Sequence, residues 1–562
     1  QVTRLAKNLY SSKARFVFEL LQNADDNNYA EASTAGSKPF VSFRIFPRKV
    51  VVKCNEDGFS QDNLKAICAV GQSSKTGSQA TSARRALASD RSSWLRIKCT
   101  SNPFSFSFRH EPEDSGTGMI SPTWEETSEK LQSPLTRITL HLHDTGDEGG
   151  LAKTRESIRS QFEMLQAKML PFLRNIRRIQ IGFFDDDGKE ASSVTYDLTQ
   201  LEPSHVLLKK IKTEKAASEE FVQHFTIISH TAKGLAKNEN RTYTKSEGAS
   251  QAYSKSEVVL AFPISEKSVP IIEPQQVYAF LPVRPVGFNF LIQADFVTEA
   301  SRQDIVKDSL CNLGLLKAIA EAFPSAATEL SEHEALRYTW PAYLPNTTGS
   351  WDMFWLSLVD EIRTSLQKAP AFYDHKGYGW RLLRDLLHAT SDMFDENQKL
   401  LLEDGDPAEV ILRQYGSTDI KILKSYGLCD VTPARFRRWL GADLANGITS
   451  RMQSQGTTDL WHEQTAAISN FALNHRTVRG FHGPKIKDMD LVPLEGGSWT
   501  SASLGPIYLP TVKGLDIPVN LGMGILSRRV EGEKRSLLVN SLGVKCACGS
   551  CATGNFAPIH RC

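Results

Sequence analysis

The feature that most limits how this chain can fold is an amphipathic helix followed directly by a strand hairpin. Over residues 5–30 the apolar side chains recur at roughly helical spacing, at Leu5, Leu9, Phe16, Leu20 and Leu21. Residues 41–46 and 50–54 then alternate on either side of the turn 47–49, which is the pattern of two paired strands. Residues 104–108 and 137–143 alternate in the same way. We therefore expect the chain to begin with one helix packed on a sheet.

The remaining patterns predict an α+β protein of about three domains, which suits 562 residues. Residues 152–180 favour helix, 178–184 strand, and 205–300 mostly strands. Helical patterns follow at 306–323, 351–367, 379–391 and 462–475. The expected organisation is an N-terminal two-layer α/β sandwich at 1–200, a second α/β domain at 201–330, and a mainly helical region of unknown role at 331–562.

Charge and cysteine content limit the expected binding partners and cellular location of the chain. It carries 66 basic against 64 acidic residues, a balance that gives no electrostatic support to binding of nucleic acid or an anionic membrane. No apolar run reaches the ~20 residues that span a bilayer. Nine scattered cysteines suit a reducing compartment, so the expected location is intracellular, cytoplasmic or nuclear, with unidentified protein partners or clients. Because Gln1 opens within a helical pattern, we expect a fragment of a longer protein.

One face of the first helix is unusually polar. Glu19, Asn23 and Asp26 are spaced i, i+4, i+7, which places a carboxylate, an amide and a second carboxylate on one side. A solvated helix face is the simplest interpretation of such a pattern. The segments that follow favour a binding site instead.

Three further segments follow this helix in a fixed order. They are the acidic turn Glu56-Asp57-Gly58, the polar loop at 71–77, and the threonine-bearing strand at 135–142. With the helix, this order resembles the nucleotide site of the GHKL ATPases. The segments FELLQNADD, NEDGF and AICAVGQSSKTG are similar to sequences of the branch that includes sacsin and protein NO VEIN. The resemblance covers about the first 150 residues and implies a two-layer sandwich that binds ATP and Mg²⁺.

The resemblance also implies a role for each matching residue. Glu19 would be the general base that orients the attacking water, and Asn23 would hold Mg²⁺ and through it the phosphates. Glu56 would accept a hydrogen bond from the adenine amine, with Asp57 as the alternative. The other residues implied to line the nucleotide pocket are Asp26, Gly58, Ser73, Ser74, Lys75 and Thr136. Ser60 stands where the family often has a second glycine, so the turn itself can differ.

A second region resembles the same proteins. Residues 298–304 follow an apolar strand and are similar to the Ser-Arg turn of the second domain in heat-shock-protein-90-type chaperones and sacsin. The resemblance implies that Arg302 reaches the γ-phosphate, as a planar, permanently charged donor. The alternative is that Ser301 or Asp304 simply caps the next helix.

The glycine-rich phosphate lid of the family is missing. Residues 78–101 contain no glycine and hold five basic residues against the single acid Asp90. Read one frame later with synonymous codons, however, residues 80–102 can encode HIGEKGIGFRSVFMAAYKVHIQ, which carries the family pattern G-x-x-G-x-G-F-x-S-V-F. We interpret the segment as read out of frame between two compensating errors. As written, 78–101 is expected to form an irregular loop, with at most a short helix at 82–89.

Three functions remain open at this stage. The first is an ATP-dependent chaperone-like or regulatory ATPase, impaired in this chain by the altered lid. The second is a non-hydrolysing interaction module, and the third is a non-functional or misread gene product. The cluster Cys546, Cys548 and Cys551 could bind Zn²⁺, but no second ligand pair stands at zinc-finger spacing. His141 and His143 are interpreted as a solvated strand face.

Overall fold

The structure is a computed structural model. It describes residues 15–61, 94–101, 104–109, 123–126, 131, 134–142, 148–163, 165–214, 217–241, 243, 249–299, 303–375, 379–402, 409–474, 485–510 and 524–544. Two compact units divide the chain, at residues 1–368 and 369–562. The predicted α+β class is confirmed, and no described helix is both long and apolar enough to cross a membrane.

The first unit begins with the predicted helix and hairpin. Helix α1 spans Arg15–Asp25 and a short helix α2 spans Ala30–Thr34. Strands β1 (Phe40–Phe46) and β2 (Lys49–Cys54) pair antiparallel, with Val41 opposite Cys54 and Phe46 opposite Lys49. Both predicted strands and their turn are therefore confirmed to within one residue. The helix predicted over 5–30 is confirmed only in its described second half, and residues 1–14 lie outside the described residues.

The hairpin belongs to one mixed sheet of fourteen strands. The other strands are β3 (Trp94–Ser101), β4 (Phe104–Arg109), β5 (Thr123–Trp124), β6 (Thr136–Leu142), β7 (Arg178–Phe184), β8 (Glu190–Gln200), β9 (His205–Glu214), β10 (Ala217–Lys233), β11 (Lys255–Ile264), β12 (Gln276–Ala279), β13 (Leu281–Pro285) and β14 (Leu291–Gln293). Their order is β13-β12-β14-β11-β10-β9-β8-β7-β1-β2-β6-β3-β4-β5. The β1–β7 and β12–β14 pairs are parallel, and the other paired strands are antiparallel.

One hydrophobic core joins α1 to the N-terminal part of this sheet. Helix α1 buries Val17, Leu20 and Leu21 in the same cluster as side chains of β1, β2, β3, β4, β6 and β7. Helix α3 (Glu148–Glu163) adds Ile158 and Phe162. Burying each of these side chains stabilises the fold by about 2 kcal/mol. The apolar side of α1 thus faces the sheet, and Asn23 and Asp26 on its polar side are half-buried.

Two predictions about local structure are wrong. Residues 94–101, expected to be irregular, form β3, which pairs with both β4 and β6. Its alternating Ile97 and Cys99 are buried in the core, so cross-strand packing decides the conformation. Residues 379–391, expected to be helical, contain the strand pieces 380–382 and 387–388, because 380–382 pairs with 370–373. Residues 62–93, including the possible helix at 82–89, lie outside the described residues.

The first unit ends with two long helices, α4 (Leu310–Glu332) and α5 (Met353–Leu366). Helix α4 is capped by the Ser309 side chain and α5 by the Asp352 side chain, which accepts the Trp355 N–H at 3.1 Å. The helices predicted at 306–323 and 351–367 are confirmed. The sheet runs without interruption from β1–β8 into β9–β14. The domain limits at 200 and 330 remain a prediction.

The described part of the second unit contains short strand pairs and four α-helices. The strands are β15 (Pro370–Tyr373), β16 (Trp380–Leu382), β17 (Leu387–His388), β18 (Cys429–Asp430), β19 (Val492–Pro493), β20 (Trp499–Thr500), β21 (Ile507–Tyr508) and β22 (Gly524–Ile525). The helices are α6 (Ser417–Ser425), α7 (Pro433–Ala445), α8 (Asp459–Asn474) and α9 (Glu533–Leu542). Helix α8 confirms the prediction at 462–475. Arg451 braces this unit by donating to the Leu400 and Leu401 carbonyls and to Asp395.

We expect the second unit to lose stability as the pH falls from about 6.5 to about 4. Burial, reinforced by the charge of Arg535, lowers the pKa of His462 to about 4. Between pH 6.5 and pH 4 the His462 imidazole is therefore protonated in the unfolded chain but neutral in the folded one. Protonation favours the unfolded chain, so the free energy of unfolding, highest above pH 6.5, decreases as the pH falls toward 4. The loss is up to about 3 kcal/mol. Urea unfolding between pH 7 and pH 4, followed by amide exchange in α8, measures it. If His462→Phe kept the full pH slope, another group would be responsible.

Candidate functional site

The end of helix α1 is joined to the acidic turn after β2 by backbone and side-chain hydrogen bonds. The Asp57 N–H donates to the Asn28 carbonyl at 3.0 Å. In return, the two Asp57 carboxylate oxygens accept the N–H groups of Ala30 at 3.0 Å and Glu31 at 2.9 Å, at the start of α2. Gly58 has φ of 94°, a conformation that favours glycine. The turn is therefore fixed against the helix, and Asp57 is committed to that contact.

Glu56 and Thr136 are buried at the same end of the sheet. Glu56 is 3% exposed and Thr136 is 1% exposed. Thr136 begins β6 directly opposite Cys54, two residues before Glu56. Its hydroxyl donates to the Ser101 hydroxyl at 3.0 Å, and the same Ser101 oxygen accepts the Phe59 N–H at 3.0 Å. Ser101 thus links the threonine strand to the acidic turn.

The Glu56 carboxylate perturbs the titration of its neighbours. Burial, followed by the Glu56 charge, raises the pKa of the Cys54 thiol well above its usual value and that of Cys99 to about 12. Burial raises the pKa of Tyr29, and the charges of Cys54 and Glu56 raise it further. A carboxylate, two thiols and a phenol therefore share one interior region at the end of β2. The thiols stay protonated there and are poor nucleophiles.

Asp25 is an important carboxylate that the sequence analysis did not select. It is 1% exposed and accepts the backbone N–H groups of Arg174, Asn175 and Ile176 at 2.8, 2.8 and 2.9 Å. The Asn175 amide donates to the carbonyls of Asp25 and Asn27. The i, i+4, i+7 spacing points to Asp26. The importance of Asp25 becomes visible only through its partners at 174–176, which are far away in the sequence. Asp25 fixes where helix α1 ends.

The structure brings some of the sequence-predicted residues together. Glu56, Asp57, Gly58 and Thr136 gather at the adjoining ends of β2 and β6. Asn23 lies on α1 and Asp26 just beyond it, both half-buried, and the Asn28–Asp57 contact joins this helix end to the acidic turn. Glu19 lies on α1, but its side chain is outside what the structure describes. Ser73, Ser74, Lys75 and Arg302 also lie outside the described residues.

The stem that carries the predicted Ser-Arg turn is well defined. The Asn312 side chain accepts the Val297 N–H at 2.8 Å and donates to the carbonyls of Val297 and Val306 at 2.8 and 2.7 Å. Thr298 and Ile305 form an antiparallel bridge above this contact. The next helix, α4, is capped by Ser309, so the alternative that Ser301 or Asp304 caps it is wrong. Asn312 therefore ties the two sides of the stem to the first turn of α4.

Metal ligands are a separate question. Within the described ranges, no group of three or more His, Cys, Asp or Glu side chains is placed to hold a metal ion. The cysteines at 546, 548 and 551 lie outside those ranges, so a zinc site there stays untested.

The fold and site define an α+β protein with a large mixed sheet and a buried carboxylate at one strand end. No model of a known protein family matches the chain. The chain is similar to "Protein NO VEIN" of Arabidopsis thaliana, with 26% identity over 560 residues, 91% of this chain. It spans only 19% of that protein's length. The similarity supports the NO VEIN-like part of the sequence resemblance.

Two solved structures were also compared with the chain. One is the N-terminal domain of a DNA repair protein, with a TM-score of 0.30 and 10% identity over 54% of this chain and 90% of that one. The other is the B-subunit of the DNA gyrase from Myxococcus xanthus, with a TM-score of 0.19 and 12% identity over 36% of this chain and 61% of that one. Both scores are too low to define a shared fold, and neither bears on function.

Proposed function

We propose that this chain is a NO VEIN-like ATP-binding protein of GHKL type, ancestrally an ATP-dependent chaperone-like or regulatory ATPase and impaired as written. The observation that supports this most is the buried carboxylate of Glu56 beside Thr136. This acid is 3% exposed, and its side chain shares a hydrogen bond with the Cys54 thiol. By resemblance, the same carboxylate would also accept a hydrogen bond from the exocyclic amine of adenine.

The structure favours Glu56 over Asp57 for this role. Both Asp57 oxygens already accept backbone N–H groups of α2. Glu56 is buried near Cys54 and Cys99, where its charge raises the pKa of both thiols. The Thr136 hydroxyl donates a hydrogen bond to Ser101, so its oxygen lone pairs can accept a hydrogen bond from the base.

The phosphate end is where this chain departs from an active enzyme. Asn23 would hold Mg²⁺, Glu19 would orient the water, and Arg302 would contact the terminal phosphate. When bound, Mg²⁺ neutralises phosphate charge. Without glycines at 78–101, the backbone N–H groups that wrap the phosphates are not preformed. The basic side chains of the segment are point charges and a weak substitute for such a cradle.

A second candidate follows from that same sequence feature. The chain could be an interaction module that binds nucleotide or a protein partner without turnover. The loss of every glycine between 78 and 101 favours this candidate. An unaltered chain that binds ATP and releases no phosphate would match it.

We expect the unaltered chain to bind Mg-ATP weakly, with a dissociation constant above about 100 µM. Glu56→Gln should weaken this binding at least about tenfold, because one carboxylate hydrogen bond to the base is lost. Ligand-observed NMR at physiological salt measures both. Asp57→Asn is the matched control and should leave affinity unchanged while loosening α2. Loss of binding in the control alone would put the adenine contact at Asp57, and micromolar binding by the unaltered chain would show that the lid glycines are dispensable.

A further inference from the structure

Two histidines form a close pair on one face of the large sheet. His205 opens β9 and His224 lies on the neighbouring strand β10. Thr226 is opposite His205 and Leu207 is opposite His224, so the two rings are diagonal neighbours on the same face. His205 Nε2 lies 3.0 Å from His224 Nδ1. Their ring centroids are 5.1 Å apart.

A third histidine completes the group from another element. His333 directly follows helix α4, which packs across β10 and β11. Its ring centroid lies 5.9 Å from that of His205. Its Nδ1 is buried and has no hydrogen-bond partner among the residues that the structure describes. A hydrogen bond between His205 and His224 accounts for the contact of those two rings. It does not account for the buried Nδ1 of His333.

The surroundings of the His205 ring favour its neutral form. Burial lowers the pKa of His205, and the neighbouring His224 and His333 rings lower it further, while Glu202 opposes them. The other nearby carboxylate, Glu329 on α4, hydrogen-bonds the Ser204 hydroxyl. Neutral rings keep lone pairs available, which is the form in which histidine binds metal.

We propose that His205, His224 and His333 form a binding site for a divalent transition-metal ion such as Zn²⁺. With Zn–N bonds of about 2.0–2.1 Å, two tetrahedral ligand nitrogens lie about 3.3 Å apart and their ring centroids about 5 Å apart. The His205 and His224 nitrogens lie 3.0 Å apart and their ring centroids 5.1 Å apart, close to these values. An ion would replace the hydrogen bond between the two rings and draw in His333, whose ring centroid lies 5.9 Å from that of His205. Without that shift, no three such side chains in the described part of the chain are placed to hold an ion. Water or Glu202 would be the fourth ligand.

The test is titration of the full, chelator-treated chain with Zn²⁺ by calorimetry, and with Co²⁺ by absorption. We expect one ion per chain bound in the micromolar range, with a Co²⁺ spectrum of nitrogen and oxygen ligands. His205→Gln, His224→Gln and His333→Gln should each weaken binding at least about tenfold. His230→Gln is the matched control, because His230 lies on the same strand and, six residues from His224, on the same face, and contacts Glu321 instead.

Thermal unfolding with and without Zn²⁺ is the second measurement. Zn²⁺ should raise the melting temperature of the parent and of the His230 variant, but not that of the three triad variants, since binding stabilises only a chain that holds the site. No Zn²⁺ binding below millimolar concentrations would overturn the proposal. So would unchanged affinity in the triad variants, or thiolate charge-transfer bands, which would place the ion on cysteines.

Discussion

Replacing residues 80–102 with HIGEKGIGFRSVFMAAYKVHIQ is expected to raise the affinity for Mg-ATP by at least about 100-fold. The replacement supplies the glycines that let successive N–H groups turn toward the β- and γ-phosphates. Several such hydrogen bonds to a charged group, at about 1.5 kcal/mol each, exceed the ~2.7 kcal/mol that a 100-fold change requires. Calorimetry of the two proteins at one salt concentration measures the difference.

The same replacement allows the helix assignments to be tested. In the restored chain, Glu19→Ala should abolish phosphate release with little change in affinity, because a water-orienting base acts on the chemical step. Asn23→Ala should instead weaken binding only when Mg²⁺ is present. A scrambled 22-residue segment of the same composition is the control for length and charge. Unchanged turnover in Glu19→Ala would show that this helix face does not carry the base.

Asp25→Ala is expected to destabilise the first unit by about 3 kcal/mol. The substitution leaves three backbone N–H groups, on Arg174, Asn175 and Ile176, without their acceptor. Each orphaned buried donor costs roughly 1 kcal/mol or more. Because the carboxylate also fixes the end of α1, the helix is expected to fray toward Asn23. Urea unfolding of the full chain measures the loss.

Asp186→Ala is the matched control for this effect. Asp186 lies in the exposed turn between β7 and β8, so its removal should change stability by less than about 0.5 kcal/mol. Asp25→Asn should fall between the two, since the amide oxygen can still accept. An Asp25→Ala protein as stable as the control would mean that water replaces the carboxylate at 174–176.

Local pattern predicted the parts of the fold whose partners are close in sequence. The alternation of residues 41–54 was enough for the β1–β2 hairpin, because its turn and its register are local. It could not reveal that β1 also pairs in parallel with β7, about 138 residues away. Likewise, α8 carries a clean helical period, whereas residues 380–382 become a strand only through pairing with 370–373.

The candidate site divides in the same way. Glu56, Gly58 and Thr136 could be proposed from motif order alone, because each sits at the end or start of an element that the pattern predicts. The engagement of Asp57 with α2, and the role of Ser101 in linking Thr136 to Phe59, depend on side-chain directions that spacing does not encode. Asp25 was missed for the same reason, since its three donors lie about 150 residues downstream.

The parallel β1–β7 pair has a consequence for the order in which the chain can fold. Helix α1 and the β1–β2 hairpin are synthesised before the strand that covers β1 and the loop that receives Asp25, which come only at 174–184. A growing chain must therefore close a loop of well over a hundred residues before α1 has a complete set of partners, a slow step for a non-local topology. Until then, β1 is an open edge that can pair with another chain. A fragment cut at residue 150, where the sequence resemblance ends, would keep that edge permanently.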